Sequence, residues 1–228
     1  MCGRYSIAVS KGDLEAYLKT NYQIEVLPDQ ILLPKYNIAP SEDIISVIND
    51  GQKYRIGLLK WGYIPEFSKD DSKPIINTRS ETIDTKTAFK KNFIEKRCII
   101  LADGFFEWER STSTKRPYRF SLKNKKIFGF AGLWSVFTDK LGKKTYTTTI
   151  ITTKANSLIN EIHDRMPVIL SEEQAKKWLN PRIKDSIALK EILKPYCAQE
   201  MELYEVSNNV NKVSYKEKDV IIPIKKST

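Results

Sequence analysis

The second residue of the chain is a cysteine, and this position gives it a chemistry that an internal cysteine lacks. Once Met1 is removed, Cys2 carries a thiol and a primary amine two carbons apart. An α-amine has a pKa of about 7.7–8, so an appreciable fraction of it is a free nucleophile at neutral pH. With an aldehyde, a 1,2-aminothiol forms a Schiff base and then closes a five-membered thiazolidine ring. The alternative interpretation is a small apolar residue that opens a first strand.

Three short segments repeat the pattern of a reactive or polar residue, a gap of one residue and an arginine. The three pairs are Cys2 and Arg4, Asn77 and Arg79, and His163 and Arg165. Residues two apart in a strand share a face, so each pair is predicted to point the same way. Guanidinium groups fit phosphates in shape and charge, which makes the arginines candidate phosphate ligands.

A carboxylate stands among aromatic residues, because Glu107 is flanked by Phe106 and Trp108. A buried carboxylate in such surroundings has a raised pKa and exchanges protons readily. Glu107 and the three pairs could assemble a pocket with a thiol, an amide, a carboxylate and an imidazole. Taken singly, each has an ordinary alternative: surface arginines, a half-exposed glutamate and a structural histidine.

The composition narrows the classes of function. Lys and Arg number 38 and Asp and Glu number 28, which gives a net charge of +10. Such a charge attracts polyanions such as nucleic acid. The alternative interpretation is that the chain comes from a proteome that is rich in lysine. Three cysteines without a CxxC motif predict neither a disulfide framework nor a structural zinc site. We expect no metal and no cofactor. A Ser-His-Asp triad is possible only through His163, the single histidine.

The pattern of elements predicts one α+β domain over residues 1–228, with a basic tail from about residue 216. Short aromatic and β-branched runs predict strands at 44–48, 54–59, 98–102, 118–121, 127–134, 146–152, 168–170 and 203–206. Amphipathic runs predict helices at 13–19, 87–96, 155–161, 172–179 and 186–193. Turns are predicted at 49–51, 111–115 and 140–143. The sheet is expected to be curved and mostly antiparallel.

Nine segments, taken together and in order, resemble the SRAP (SOS-response-associated peptidase) family. They are residues 1–5 (MCGRY), 36–40 (YNIAP), 61–65 (WGYIP), 77–82 (NTRSET), 97–108 (RCIILADGFFEW), 131–134 (AGLW), 150–153 (IITT), 163–167 (HDRMP) and 206–211 (VSNNVN). Two flanking positions, Thr78 and Leu101, depart from the family's pattern and bear on local backbone shape.

The resemblance implies a pseudo-barrel β core with surrounding helices. It also implies covalent capture of abasic sites in single-stranded DNA as a thiazolidine crosslink, which protects the lesion during replication. Cys2 matches the family's nucleophile and Asn77 the residue that orients it. Glu107 matches a residue that positions or deprotonates the N-terminal amine. His163 matches a general acid for opening the abasic sugar ring, which suits a pKa near neutrality.

The resemblance further implies a DNA-binding surface around this centre. The predicted phosphate ligands are Arg4, Arg79, Arg165 and Thr152, and the residues predicted to stack on bases are Pro40, Trp61 and Phe67. The expected partner is single-stranded DNA with abasic sites. We expect a monomeric cytoplasmic protein, associated with the nucleoid if the source is bacterial, and no membrane partner.

Two other functions remain open from the sequence. A thiol peptidase with limited self-processing of Met1 could use Cys2, His163 and Asn77 as a thiol–imidazole–amide set. A noncovalent module for single-stranded DNA would need only basic charge and exposed aromatic residues.

Overall fold

The computed structural model describes residues 2–71, 73–109 and 115–224, and the following elements lie within them. The strands are β1 Tyr5–Ile7, β2 Lys35–Ile38, β3 Asp43–Asn49, β4 Tyr54–Trp61, β5 Asn77–Arg79, β6 Arg97–Ala102, β7 Gly104–Trp108, β8 Pro117–Leu122, β9 Phe128–Thr138, β10 Lys144–Lys154, β11 Arg165–Pro167, β12 Ile169–Leu170 and β13 Met201–Glu205. The helices are α1 Lys11–Tyr22, α2 Thr87–Glu95, α3 Ser157–Asn160, α4 Glu172–Leu179 and α5 Ser186–Ile192.

Five strands close into a barrel in the order β10-β4-β3-β6-β9, because β9 pairs back onto β10. Every pairing in the ring is antiparallel except that of β4 with β10. Because the ring is closed, each of the five strands is paired on both sides along the segments that form the barrel. The C-terminal half of β10 extends beyond β4 and there pairs with β5 and β11, so short strands continue the barrel wall.

A second sheet, in the order β13-β8-β7-β1-β2, lies against the barrel, and the main core fills the space between them. Tyr5 of β1 packs edge-on against Trp61 at 5.4 Å and Phe130 at 5.7 Å between ring centroids. Phe105, the register partner of Tyr5 on β7, also packs edge-on against Phe130. Aromatic rings from β1 and β7 therefore join the two sheets.

A buried arginine fastens the helices to the barrel. Arg97 begins β6, is 6% exposed, and donates hydrogen bonds to the main-chain carbonyls of Phe93 and Ile94 at the end of α2. It also donates to the carbonyl of Trp178 in α4. These carbonyls belong to the last turns of two helices, which lack partners inside the helix. Burial lowers the pKa of Arg97 to about 10, so its charge persists at neutral pH.

The structure confirms the predicted α+β class with a curved, mostly antiparallel barrel. The turn at 49–51 is present, with Gly51 at a φ of 96° that favours glycine, and so is the turn at 140–143. Helix α1 is longer than predicted, and the helix predicted at 155–161 is only Ser157–Asn160. Residues 111–114 of the third predicted turn lie outside the described residues.

The short strands β1, β2, β5, β7 and β11 were not predicted, because three to five residues carry too little periodicity to be recognised. The tail from residue 216 is partly docked, since Val220 is fully buried. In the described part of the chain, no helix is long and apolar enough to cross a membrane.

Barrel closure leaves no room for a side chain at Gly132 of β9. A Cβ there would lie 2.7 Å from Ile100 Cδ1 and 3.0 Å from the main-chain oxygen of Thr149, which cannot move without its strand. We expect Gly132→Ala to lower the free energy of unfolding by about 1–3 kcal/mol. Urea unfolding followed by tryptophan fluorescence measures this change.

The matched control is Gly57→Ala on β4, because a Cβ at Gly57 has no atom within 4 Å. It should leave the unfolding midpoint nearly unchanged. Equal midpoints for the two variants would show that the barrel wall at β9 is looser than described.

Candidate active site

Cys2 lies at the junction of the two sheets, just before β1, and is 0% exposed. The Asn77 side-chain amide donates a hydrogen bond to the Cys2 carbonyl at 2.8 Å. The thiol points to the carbonyl of Arg4, with the sulfur 3.9 Å from that oxygen. Burial raises the pKa of the Cys2 thiol well above its usual range, and the charge of Glu107 raises it further. The thiol is therefore neutral at physiological pH.

Asn77 is held by the barrel itself. It begins β5, which runs parallel to β10 with Asn77 opposite Ile150. While its Nδ2 is engaged by Cys2, its Oδ1 is buried and accepts no hydrogen bond within the described residues. A buried acceptor without a donor is costly, so this oxygen is available to a donor on a ligand or on a freed amine.

Glu107 and His163 form a buried pair on the same side of the junction. Glu107 lies on β7 and is 2% exposed, and His163 lies two residues before the start of β11 and is 4% exposed. His163 Nε2 is 3.8 Å from Glu107 Oε2. The backbone N–H of Arg165 donates to His163 Nδ1 at 2.9 Å. The Arg165 carbonyl oxygen also lies 3.1 Å from Nδ1. The shorter bond from the Arg165 N–H favours a neutral ring with its proton on Nε2, which faces the carboxylate.

Three of the predicted DNA-binding residues meet around β10. Thr152 is the register partner of Arg79 on β5, and Lys154, two residues further along β10, is the partner of Arg165 on β11. Arg165 donates from Nη2 to the Thr152 carbonyl at 2.8 Å. It also makes a two-pronged ion pair with Glu81, with 2.9 Å between Nη2 and Oε2. Arg79 is exposed, whereas Thr152 is 1% exposed and its hydroxyl donates to the Thr78 carbonyl at 3.3 Å. A phosphate contact by Thr152 stays a prediction.

Arg4 lies apart from that group. Strand β1 begins at Tyr5, so the rule that residues two apart share a face does not apply to Cys2 and Arg4. The Arg4 side chain is 8% exposed and donates to Asn37 Oδ1 at 2.9 Å and to the Val210 carbonyl. Its guanidinium carbon is 5.9 Å from the centroid of the Trp108 ring. A phosphate contact by Arg4 stays a prediction.

The three predicted stacking residues differ in exposure. Phe67 is 65% exposed, and Pro40 is half-buried. Trp61 is 0% exposed, and its indole N–H donates to the Ile76 carbonyl at 2.9 Å. Trp61 therefore offers no ring face to a base, and the expectation that it stacks on DNA is corrected. The ring fills the core instead, because barrel closure surrounds the end of β4.

A cleft of about 390 Å³ opens beside the Glu107–His163 pair, and the sequence did not identify its far wall. That wall includes Asn211, whose side-chain oxygen accepts a hydrogen bond from the Trp108 indole N–H at 2.6 Å. Asn37 fastens the same segment, because its Nδ2 donates to the Tyr215 carbonyl at 2.7 Å. Residues 36–40 and 206–211 were among the segments that carry the family resemblance. The sequence therefore identified these two motifs but did not predict that they lie beside the site.

The fold and the site together define a class of protein: a closed β barrel with a second sheet, and at their junction an N-terminal cysteine near an amide, a carboxylate and an imidazole. The sequence profile of the family described as SOS response associated peptidase (SRAP) matches residues 1–213. The chain belongs to the SRAP family.

Relatives with names and solved structures agree with this assignment. The chain is 45% identical over 214 residues to the abasic site processing protein YoqW of Bacillus subtilis, covering 92% of this chain and 94% of the relative. It is 28% identical over 226 residues to the abasic site processing protein YedK of Escherichia coli, covering 98% and 100%. A crystal structure of a protein from Bacteroides thetaiotaomicron superposes with a TM-score of 0.87 at 27% identity, covering 98% and 100%.

The tautomer of His163 is a direct test of this geometry. We expect nitrogen chemical shifts of a protonated Nε2 and an unprotonated Nδ1 when the ring is neutral, because the backbone N–H of Arg165 occupies Nδ1. Long-range proton–nitrogen correlation spectra of the untagged protein measure both shifts. His163 is the single histidine, so the assignment is unambiguous.

The Glu107→Gln variant is the control for this measurement. It should keep the same tautomer, because a main-chain donor rather than the carboxylate selects it. A proton on Nδ1 in the wild-type protein would contradict the described hydrogen bond and the proton-donating role of Nε2.

Proposed function

We propose that this protein captures abasic sites in single-stranded DNA covalently through Cys2, and that the crosslink protects the lesion during replication. The observation that carries the proposal is the placement of Cys2, whose main chain is bonded to Asn77 and whose thiol interacts with the charge of Glu107. The relatives named as abasic site processing proteins support the same substrate class.

The chemistry requires that Met1 be removed first, since only then does Cys2 carry a free amine. The amine attacks the aldehyde carbon of the open abasic sugar, and loss of water gives an imine. The thiol sulfur then bonds to the imine carbon, and the thiol proton ends on the nitrogen. Aminothiol and aldehyde thus give a thiazolidine and one water, with no oxidant and no cofactor.

The aldehyde is scarce, because an abasic sugar is mostly a closed ring. Ring opening needs a proton delivered to the ring oxygen and a proton removed from the hydroxyl on the anomeric carbon. In the proposal, His163 Nε2 delivers the first proton, and Glu107 accepts protons from the sugar or from the Cys2 ammonium. Their 3.8 Å separation lets the pair share a proton between steps.

The raised pKa of the Cys2 thiol favours an order of events. A neutral thiol is a weak nucleophile, whereas a neutral α-amine is available near pH 7. The amine therefore reacts first, and the thiol closes the ring while supplying its own proton. Holding amine, thiol and aldehyde together makes both steps effectively intramolecular.

The raised pKa of the Cys2 thiol also argues against the alternative function of a general thiol peptidase. Thiol peptidases depend on a thiolate with a lowered pKa, often beside a positively charged histidine. Burial and the charge of Glu107 instead raise the pKa of the Cys2 thiol. Limited self-removal of Met1 remains compatible with the proposal, since it is a single event within one chain.

DNA binding is assigned to the residues around β10. In the proposal, Arg79 and Arg165 contact phosphates and read no sequence, as a sensor of lesions needs. Thr152 is 1% exposed and supports Arg165 through its main-chain carbonyl. In the proposal, Phe67 and Pro40 stack on bases beside the lesion, and stacking tolerates any base. A purely noncovalent module would use the same residues but would not need Cys2.

We expect Cys2→Ala to abolish a crosslink that survives denaturing electrophoresis, because the variant lacks the thiol that closes the ring. The assay uses a single-stranded oligonucleotide with one abasic site and protein whose Met1 loss is confirmed by intact mass. The matched control is Cys197→Ala, which removes an exposed thiol and should leave the crosslink at the wild-type level.

Two outcomes separate the alternatives. A denaturant-resistant band that persists in Cys2→Ala would exclude thiazolidine formation. Acetylating the Cys2 amine should stop crosslinking but not peptide cleavage, so cleavage of a test peptide by acetylated protein would favour the peptidase. Salt-sensitive binding with no covalent band in the wild type would favour the noncovalent module.

We expect Asn77→Ala to slow crosslinking by about 10- to 100-fold, because the Cys2 main chain loses its hydrogen bond and the reacting groups shift. Single-turnover gel kinetics measure the rate. Asn49→Ala, at the end of β3, is the control and should react at the wild-type rate. An unchanged rate in Asn77→Ala would remove Asn77 from the positioning role.

A further inference from the structure

A second cleft of about 570 Å³ opens at the C-terminal end of β10. Arg79, Lys154, Asp164 and Arg165 contribute its charged lining, and Asn156 adds an amide. Arg79 and Arg165 already belong to the proposed DNA-binding surface, whereas Lys154 has no assigned role. The cleft therefore continues that surface away from Cys2.

The charges in this cleft differ in how far they are already neutralised. Arg165 is bonded through two nitrogens to the carboxylate of Glu81. The hydrogen bond from Arg165 holds the pKa of Glu81 below its usual range, so this carboxylate stays ionised. Among the residues that the structure describes, Arg79 and Lys154 make no ion pair. The cationic charge that remains available to a ligand is therefore that of Arg79 and Lys154.

The strand register places these two cations close together. Arg79 lies opposite Thr152, and Lys154 follows two residues later on β10. With about 4.8 Å between strands and about 3.3 Å per residue along them, their Cα atoms are roughly 8 Å apart. Long side chains at this spacing can reach one phosphate from two sides. Asp164 also lines the cleft and reduces its net positive charge.

We propose that this cleft binds a backbone phosphate of the single-stranded DNA that flanks the lesion, and that Lys154 is its charge-assisted contact. The inference rests on the proposed function for the identity of the ligand. Lys154 carries more of the salt-dependent attraction than Arg165, because the Arg165 charge is compensated before DNA arrives. The amide of Asn156 adds a neutral donor to the same phosphate or sugar.

The test compares Lys154→Gln with Lys144→Gln, which removes the same charge at the other end of the same strand. The strand has 11 residues, so the two positions are roughly 33 Å apart. The probe is a fluorescent oligonucleotide with a tetrahydrofuran in place of the abasic sugar. It lacks the hydroxyl that opens to an aldehyde, so binding stays reversible. Fluorescence anisotropy over a series of KCl concentrations gives the binding constant.

We expect Lys154→Gln to reduce the slope of log K against log salt by about 0.7, the value for one phosphate contact on a single strand. Lys144→Gln should keep the wild-type slope, and Lys154→Arg should restore it. Coincident slopes for Lys154→Gln and Lys144→Gln would overturn the inference.

Crosslinking to a natural abasic site is measured separately, at saturating DNA. Lys144→Gln should reach the wild-type end point, because Lys144 lies at the other end of β10 from the proposed DNA-binding surface. A wild-type protein that binds the tetrahydrofuran probe but never crosslinks would refute the proposed function. The slopes of the Lys154 and Lys144 variants would still decide the role of Lys154.

Discussion

The pairing of one long strand, β10, is the constraint on which the rest of the structure depends. One edge pairs with β9 and then with β11, and the other pairs with β4 and then with β5. Backbone hydrogen bonds must be satisfied along the whole strand, so these short segments have little freedom to move. That single requirement fixes Asn77, Arg79, Thr152 and Arg165 relative to each other. His163 follows, because it lies two residues before the start of β11.

The other half of the site comes from the second sheet, through Cys2 before β1 and Glu107 on β7. Two contacts join the halves: the hydrogen bond from Asn77 to the Cys2 carbonyl and the approach of His163 to Glu107. A hydrogen bond such as that of Asn77 contributes only about 1 kcal/mol. The aromatic packing of Tyr5 against the barrel core keeps the sheets in place, so these weak contacts act between surfaces that are already aligned.

The sequence predicted the types of residue in the site better than their arrangement. Asn77 and Arg79 lie two apart in a real strand, and there the alternation rule holds. The rule does not apply to Cys2 with Arg4 or to His163 with Arg165, because β1 begins at Tyr5 and β11 begins at Arg165. The burial of Trp61 depends on barrel closure, which no local pattern reveals. Asn211 was missed because its contact, Trp108, is 103 residues away in the chain.

The neutral, enclosed state of Cys2 also bears on how such a residue survives in a cell. Peroxides oxidise the thiolate rather than the thiol, and they must reach the sulfur to do so. Burial prevents both, since it keeps the Cys2 thiol protonated and blocks the access of peroxide to the sulfur. The exposed sulfur of Cys197 has no such shelter. In the proposed function the intact thiol closes the thiazolidine ring, so protection of Cys2 from oxidation preserves the capacity of each copy to react.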